Sequence, residues 1–139
     1  MVDHITKASL KFGLEEWDQQ PWQKRGGGWT KSGRLLLFEI YVADKSSSMH
    51  LYIGPGEDSA RRAVFEAFTA GNKPRLKGGR PKLTTTYTTV YSVKWKGAEA
   101  MGDLTDEELA KTIDAQWAAF IDKDLPKIRE VASGIHGGG

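Results

Sequence analysis

The stretch that decides the fold is RLLLFEIYVADKSSSMHLYI, residues 34–53. In its first half, every second position from 36 to 42 would lie on one face of a strand, and that face carries only apolar side chains: Leu36, Phe38, Ile40 and Val42. The other face is apolar too apart from Glu39, which predicts a central strand covered on both sides. The polar run at 44–48 is typical of a turn, and residues 49–53 alternate again. The two halves therefore predict an antiparallel hairpin.

A helix and a further strand are expected after the hairpin. Gly-Pro-Gly at 54–56 ends the second strand, and an apolar stripe at helical spacing predicts a helix from Glu57 or Asp58 to Ala70. Residues 84–96 (TTTYTTVYSVKWK) are dense in Thr, Tyr and Val, which favours a strand. We expect one face of that strand to carry Tyr87, Thr89, Tyr91, Val93 and Trp95.

The two ends of the chain differ in how clearly they are patterned. Residues 3–18 carry both a helical and a strand period, and we interpret them as a short helix that breaks at Gly13. In the last third, the capping box at 105–108 starts a helix, and Asp124-Leu-Pro126 starts another that ends at Gly134. The buried stripe of the first of these helices is predicted to be Leu109, Ile113, Trp117, Phe120 and Ile121.

Together these segments predict one α+β domain over residues 1–139, with 1–18 as its least defined segment and 134–139 as a frayed glycine-rich tail. The expected architecture is a small, mainly antiparallel sheet packed by about three to four helices. The exposed edges of such a sheet would allow a homodimer.

Composition and charge narrow the class of protein. The chain has no Cys, which excludes disulfides, zinc–thiolate sites and cysteine nucleophiles. No run approaches the roughly 18 apolar residues of a membrane span, and the N-terminus lacks a secretory h-region, so we expect a cytoplasmic protein with no membrane partner. Residues 1–97 carry 16 Lys and Arg against 9 Asp and Glu, whereas residues 98–139 carry 4 against 9. This asymmetry predicts a basic face opposite an acidic one; an acidic helical pair that merely solvates its outer face is the alternative.

Sequence patterns for catalysis are absent. His4, His50 and His136 are far apart and form no metal-binding spacing. The sequence holds no GxSxG, no Walker A and no GxGxxG. We therefore predict no catalytic residue, no metal site and no cofactor, and a protein that is not an enzyme.

The basic loop, residues 73–82 (KPRLKGGRPK), holds five cations and no acid. Loops rich in Lys and Arg contact phosphates, and a solvated loop without a ligand is the alternative interpretation. Further cations lie on the preceding helix and at the end of the following strand. The predicted nucleic-acid- or phosphate-binding residues are Arg61, Arg62, Lys73, Arg75, Lys77, Arg80, Lys82, Lys94 and Lys96.

Aromatic and cationic side chains also interleave over residues 17–34. Such a pattern can stack bases and hold a nucleic-acid backbone, but tryptophans in glycine-rich loops also cover cores. We favour the core for Trp17 and Trp29 and leave Trp22 open. The candidate residues for stacking or for a protein interface are Trp22, Lys24, Arg25 and Trp29.

The order of these segments carries a resemblance to a known family. Between about Trp22 and Ile135 the chain presents GxW, FEIYV, LYIGPG, a helix with two arginines, the basic loop, two tyrosines, an acidic helix and DLPKI. This progression resembles the C-terminal accessory region of bacterial and phage proteins grouped with the PD-(D/E)XK nuclease superfamily. The nuclease signature of that superfamily is an Asp followed by (Asp/Glu)-x-Lys, which together hold a divalent metal. None of the 18 acids here is followed two positions later by Lys or Arg, so the resemblance implies an accessory region without the nuclease signature.

Two binding functions follow as hypotheses. The first, slightly favoured because of the basic loop, is a non-catalytic protein that binds nucleic acid or another phosphate-rich ligand. The second is a phage-type inhibitor or adaptor that binds a bacterial defence complex, of a CRISPR-like or nuclease type. Its contact would be the tryptophan-containing loop or the acidic helix face of Asp106, Glu107 and Asp114.

Overall fold

The computed structural model describes residues 7–27, 33–43, 46–71, 73–95 and 106–135. Its strands are β1 (Lys7–Phe12), β2 (Leu36–Ala43), β3 (Ser46–Ile53), β4 (Thr69–Ala70), β5 (Lys73–Pro74) and β6 (Thr88–Trp95). Its helices are α1 (Glu15–Asp18), α2 (Asp58–Ala67), α3 (Asp106–Ala119) and α4 (Leu125–Ala132). A 3-10 turn (Pro21–Arg25) follows α1, and a π-helical segment (Phe120–Asp124) joins α3 to α4.

The main sheet has four strands in the order β1-β2-β3-β6, and every neighbouring pair is antiparallel. The short strands β4 and β5 pair with each other in a second, two-stranded sheet. The predicted α+β class with a mainly antiparallel sheet is confirmed, and so is the predicted central position of β2.

One face of the main sheet, the core face, packs against the helices. Phe38 is its centre: the ring of Trp17 stacks on it at 5.7 Å between centroids, and Phe120 meets it edge-on at 5.6 Å. The helices contribute further fully or nearly fully buried side chains: Ala60, Val64, Leu125, Ile128 and Ala132. A core of this size accounts for the layered arrangement, because burial of apolar area is the largest favourable term in folding.

The helix predicted within residues 3–18 is wrong for the part before Gly13 that the structure describes. Residues 7–12 form a strand at the edge of the sheet, and Gly13 follows that strand rather than a helix. The register pairs Leu10 with Ile40 and Phe12 with Phe38. The strand period therefore prevails over the helical one, because a partner strand was available for it.

Two element boundaries also differ from the prediction. β3 begins at Ser46, so most of the expected polar turn pairs with the end of β2. Helix α2 ends at Ala67 rather than Ala70, because residues 69 and 70 pair with Lys73 and Pro74 in the small hairpin.

The predicted side-chain face of β6 is wrong in its first half. Leu51 is opposite Tyr91 but Tyr52 is opposite Thr89, so Val90 is an extra residue in a β-bulge. Val90 and Tyr91 are consequently both buried, whereas Tyr87 is 51% exposed. The bulge separates Tyr87 and Thr89 from the face that carries Tyr91. The side chain of Trp95 lies outside those that the structure describes.

The C-terminal helices form one continuous helical run from 106 to 132, without the predicted break. Phe120 is buried as expected, but the prediction is wrong for Trp117 and Ile121, which are 37% and 38% exposed. Ile121 follows Phe120 directly, so it points about a quarter-turn away from the core. Thr105, Leu109 and Ile113 lie outside the residues or side chains that the structure describes.

Candidate nucleic-acid interface

The main chain of the basic loop is tied to the outer edge of β6. The amide of Ser92 donates to the carbonyl of Lys77 at 2.9 Å, and the amide of Arg80 donates to the carbonyl of Thr89 at 2.8 Å. Leu76, in the same loop, is only 6% exposed and anchors it in the core. Two backbone hydrogen bonds and one buried leucine therefore hold the loop against the edge of the sheet.

The two glycines of the loop explain how it approaches β6 so closely. Gly78 has φ +75°, a left-handed conformation that favours glycine. A Cβ at this position would overlap the hydroxyl of Ser92 and lie 2.8 Å from its backbone nitrogen. At Gly79 a Cβ would lie 2.8 Å from the carbonyl oxygen of Val90. The Gly-Gly pair is thus required for attachment to the sheet edge.

Most of the predicted cations do have exposed side chains. The exposed members of the predicted set are Arg62, Lys73, Arg75, Lys77, Arg80, Lys82 and Lys94. Lys96 lies outside the described residues. Because the backbone of the loop is attached to β6 at Lys77 and Arg80, these two cationic residues are held at that sheet edge with their side chains exposed.

Arg61 has to be removed from the predicted set. Its side chain is only 4% exposed. Its guanidinium donates to three backbone carbonyls: Gly54 at 2.8 Å, Thr84 at 2.7 Å and Thr86 at 2.7 Å. Burial lowers the pKa of Arg61, and Asp58 opposes that effect. The residue fastens the Gly-Pro-Gly turn to the segment before β6, and its burial keeps it from an outside phosphate.

A sequence signal for the burial of Arg61 existed. The position lies three residues before Val64 and seven before Phe68, so it belongs to the apolar stripe of α2. A cation on the core side of a helix needs buried acceptors, and carbonyls of the adjoining turns provide them.

The second predicted cluster is largely structural. Trp22 is 3% exposed and packs beside Trp17, with ring centroids 6.1 Å apart, so neither offers a surface for stacking. The core assignment of Trp17 is confirmed, and Trp22, which the sequence left open, lies in the core as well. Lys24 is exposed, but Arg25 pairs with Glu57 at 2.6 Å, and this hydrogen bond lowers the pKa of Glu57. Trp29 lies outside the described residues.

Gln23, which sequence reasoning missed, holds this cluster to the sheet. It is fully buried; its amide nitrogen donates to the carbonyl of Leu36 at 2.7 Å, and its oxygen accepts from the amides of Leu35 and Leu36. A buried amide that is hydrogen-bonded on both sides fixes the 3-10 turn against the start of β2.

A carboxylate, Asp124, lies beside Lys77 of the basic loop. Asp124 accepts a short hydrogen bond from the phenol of Tyr91, and the same oxygen is 3.1 Å from the ammonium of Lys77. Burial, and secondarily the adjacent carboxylate, raises the pKa of Tyr91. No sequence pattern joins Tyr91 to Asp124, since the two are 33 positions apart.

A small cavity of about 210 Å³ adjoins this cluster. Its lining includes Lys77, Lys94, Gln116, Phe120, Lys123 and Asp124. Three ammonium groups against one carboxylate leave a net positive rim, which favours an anion. The π-helical segment places Asp124 here, and such segments occur often at functional sites.

The structure also bears on histidine chemistry, metal binding and membrane spanning. His50 lies on β3, where its Nε2 and the hydroxyl of Ser48 are 2.8 Å apart and where burial lowers its pKa. Across the described ranges, no three His, Asp or Glu side chains converge as metal ligands would. Nor is any described helix both long enough and apolar enough to cross a bilayer.

Comparison with known proteins supplies no relative for these observations. No protein-family model, no curated protein and no solved structure matches the chain.

Proposed function

We propose that this chain is a non-catalytic binding protein that contacts nucleic acid, or another phosphate-rich ligand, through the basic loop. The observation that carries the proposal is the combination of an attached backbone with exposed cations. The loop is hydrogen-bonded to β6 at Lys77 and at Arg80, while the side chains of both residues are exposed. A pre-positioned backbone lowers the entropy lost when a partner is bound.

Electrostatics supports the same assignment. Residues 73–82 carry exposed cations and contain no Asp or Glu. Each phosphate that they neutralise would release condensed counterions, so binding would weaken steeply with salt. With the buried Arg61 and Trp22 removed, the exposed cations of the predicted interface are those of the loop, Lys94 at the end of β6, Arg62 and Lys24.

A salt-titrated binding assay tests the proposal. Short single- and double-stranded DNA and RNA are titrated against the wild type and against Arg80→Gln/Lys82→Gln. These two positions avoid Lys77, whose pairing with Asp124 has a structural role. We expect the slope of log K against log salt to fall by about 0.9 per lost contact on duplex and about 0.7 on single strands.

Lys111→Gln is the matched control. Lys111 is 77% exposed on α3 and distant from the loop in sequence. Its replacement loses one unit of charge, so it is matched to the single variants Arg80→Gln and Lys82→Gln, each of which loses one of the two units lost in the double variant. Its salt slope should equal that of the wild type. The absence of binding at low salt, or an unchanged slope in the double variant, would overturn the proposal and direct attention to a protein partner.

A further inference from the structure

The face of the main sheet opposite the core carries an aromatic row. On β3, the rings of His50 and Tyr52 stack with centroids 5.3 Å apart and planes 10° from parallel. Tyr87, just before β6, meets Tyr52 edge-on at 6.5 Å. All three rings are at least partly exposed, and Tyr87 is 51% exposed. We call these three side chains the aromatic row.

The aromatic row is separate from the rings that build the core. The register puts His50 opposite Glu39 and Tyr52 opposite Leu37, on the alternate face from Phe38 and Leu51. The helical rings Trp17 and Phe120 pack on Phe38, and hence on the core face. The aromatic row therefore has no part in holding those helices.

The basic loop lies beside the aromatic row. Ser92 is opposite His50 in the sheet and bonds to Lys77; Thr89 is opposite Tyr52 and bonds to Arg80. The loop and β3 thus flank β6 at two strand spacings, about 10 Å. A Cβ at Gly78 would meet the hydroxyl of Ser92, so the loop at Gly78 lies on the side of the aromatic row. The side chain of Lys77 instead reaches Asp124 on the helical side of the sheet.

The charges divide this surface into two parts. Phosphate-binding cations line the loop, whereas the group beside His50 is the carboxylate of Glu39, which is 20% exposed and 3.8 Å from the ammonium of Lys11. A phosphate is disfavoured beside Glu39, but an uncharged base is not. Aromatic faces next to a cationic groove are the arrangement that stacks successive bases of single strands.

We propose that the aromatic row is a base-stacking platform, and that the ligand of the basic loop is single-stranded nucleic acid. The phosphates lie along the loop, and the bases extend over β6 onto His50, Tyr52 and Tyr87. A duplex does not fit this site because its bases stack on one another and offer no free face. This inference rests on the proposed function of the loop.

The test compares three probes at low salt: a 12-nucleotide deoxythymidine oligomer, an abasic oligomer with the same number of phosphates, and a 12-base-pair duplex. We expect the thymidine oligomer to bind at least about fivefold more tightly than the abasic one, the lower end of what base–aromatic stacking contributes. Tyr52→Leu should abolish that preference and leave the affinity for the abasic oligomer unchanged.

Two further variants keep the result interpretable if Tyr52→Leu folds poorly. Tyr87→Ala removes a more exposed ring and should reduce the preference in part. Trp117→Leu removes a partly exposed ring on the helical side of the sheet and should leave the preference intact.

The outcomes separate the two proposals. Salt-dependent binding that is equal for the thymidine and abasic oligomers would overturn the platform and keep the function of the loop. Tighter binding of the duplex would also overturn the platform. The absence of binding to every probe would overturn both.

Discussion

Arg61 and the cations of the basic loop come from the same positively charged part of the sequence, yet the fold uses them in opposite ways. Arg61 is buried, and its guanidinium is occupied by three carbonyls. In the loop the relation is reversed: the backbone makes the hydrogen bonds to the sheet, and the cationic side chains remain exposed. Charge count alone does not distinguish these cases; the position of backbone acceptors does.

The largest loss of folding stability is expected at Gly78, where the backbone of the loop meets β6. Gly78→Ala should destabilise the protein by about 3 kcal/mol. Two costs add: alanine would have to adopt the left-handed backbone conformation, and its Cβ would clash with Ser92. Gly71 is the matched control: its φ is +66°, but a Cβ would meet nothing within 4 Å. Gly71→Ala should cost only about 1 kcal/mol. Chemical denaturation of both variants measures the difference, and equal losses would show that the loop is not held against β6.

A smaller loss of stability is expected at Arg61. Arg61→Met keeps much of the buried volume but leaves the carbonyl of buried Gly54 without its donor, which should cost about 2 kcal/mol. The carbonyls at Thr84 and Thr86 belong to exposed residues, so water can replace the lost donor there. Arg62→Met, one position along on the exposed side of α2, should change stability by less than about 0.5 kcal/mol. Similar unfolding midpoints for the two variants would contradict the structural role of Arg61.

The smallest effect concerns the pH dependence contributed by Tyr91. At pH 7, Tyr91→Phe should lose about 1 kcal/mol, the net contribution of one hydrogen bond. Because the folded state raises the pKa of Tyr91, the unfolded state releases this proton first as pH rises above about 10. The phenol's stabilising contribution therefore falls between the unfolded and folded pKa values. The stability gap between wild type and Tyr91→Phe should close in denaturation curves at pH 11, and a constant gap would contradict this sign.

The hairpin of β2 and β3 could be predicted because its information is local. The alternation of 34–43 and 49–53 and the polar run between them need no distant partner. β1 could not be assigned in the same way. Its two periods conflict within the segment, and the choice is made by pairing with β2, about thirty residues away.

Three features that shape the candidate site left no pattern in the sequence. The bulge at Val90 shifts which residues of β6 face the core, and alternation cannot reveal an inserted residue. The π-helical segment at 120–124 keeps the C-terminal helix continuous where Asp124 and Pro126 indicated a new start. The contact of Tyr91 with Asp124 joins two elements that are distant along the chain.

The basic loop could be predicted as a cationic surface, but its attachment to the edge of the sheet could not. Its composition indicated exposure, and the exposed side chains of Lys77 and Arg80 agree with that. Its attachment depends on backbone groups, which carry no compositional signal. The glycines at 78 and 79 permit close approach to β6, a role that the composition of the loop does not reveal.

The attachment of the loop to β6 also bears on self-association. An unpaired strand edge is a template on which a second chain can extend the sheet, and such growth leads to aggregation. The loop occupies this edge, bonding to Ser92 and Thr89 through backbone groups that do not depend on which side chains it carries. The number of lysines in the loop can therefore change, through mutation or selection for a different ligand, without reopening the edge. Of the two edges that the described strands give the main sheet, β1 is the one left for growth by a second copy, and there Lys11 provides an exposed charged side chain that discourages such pairing.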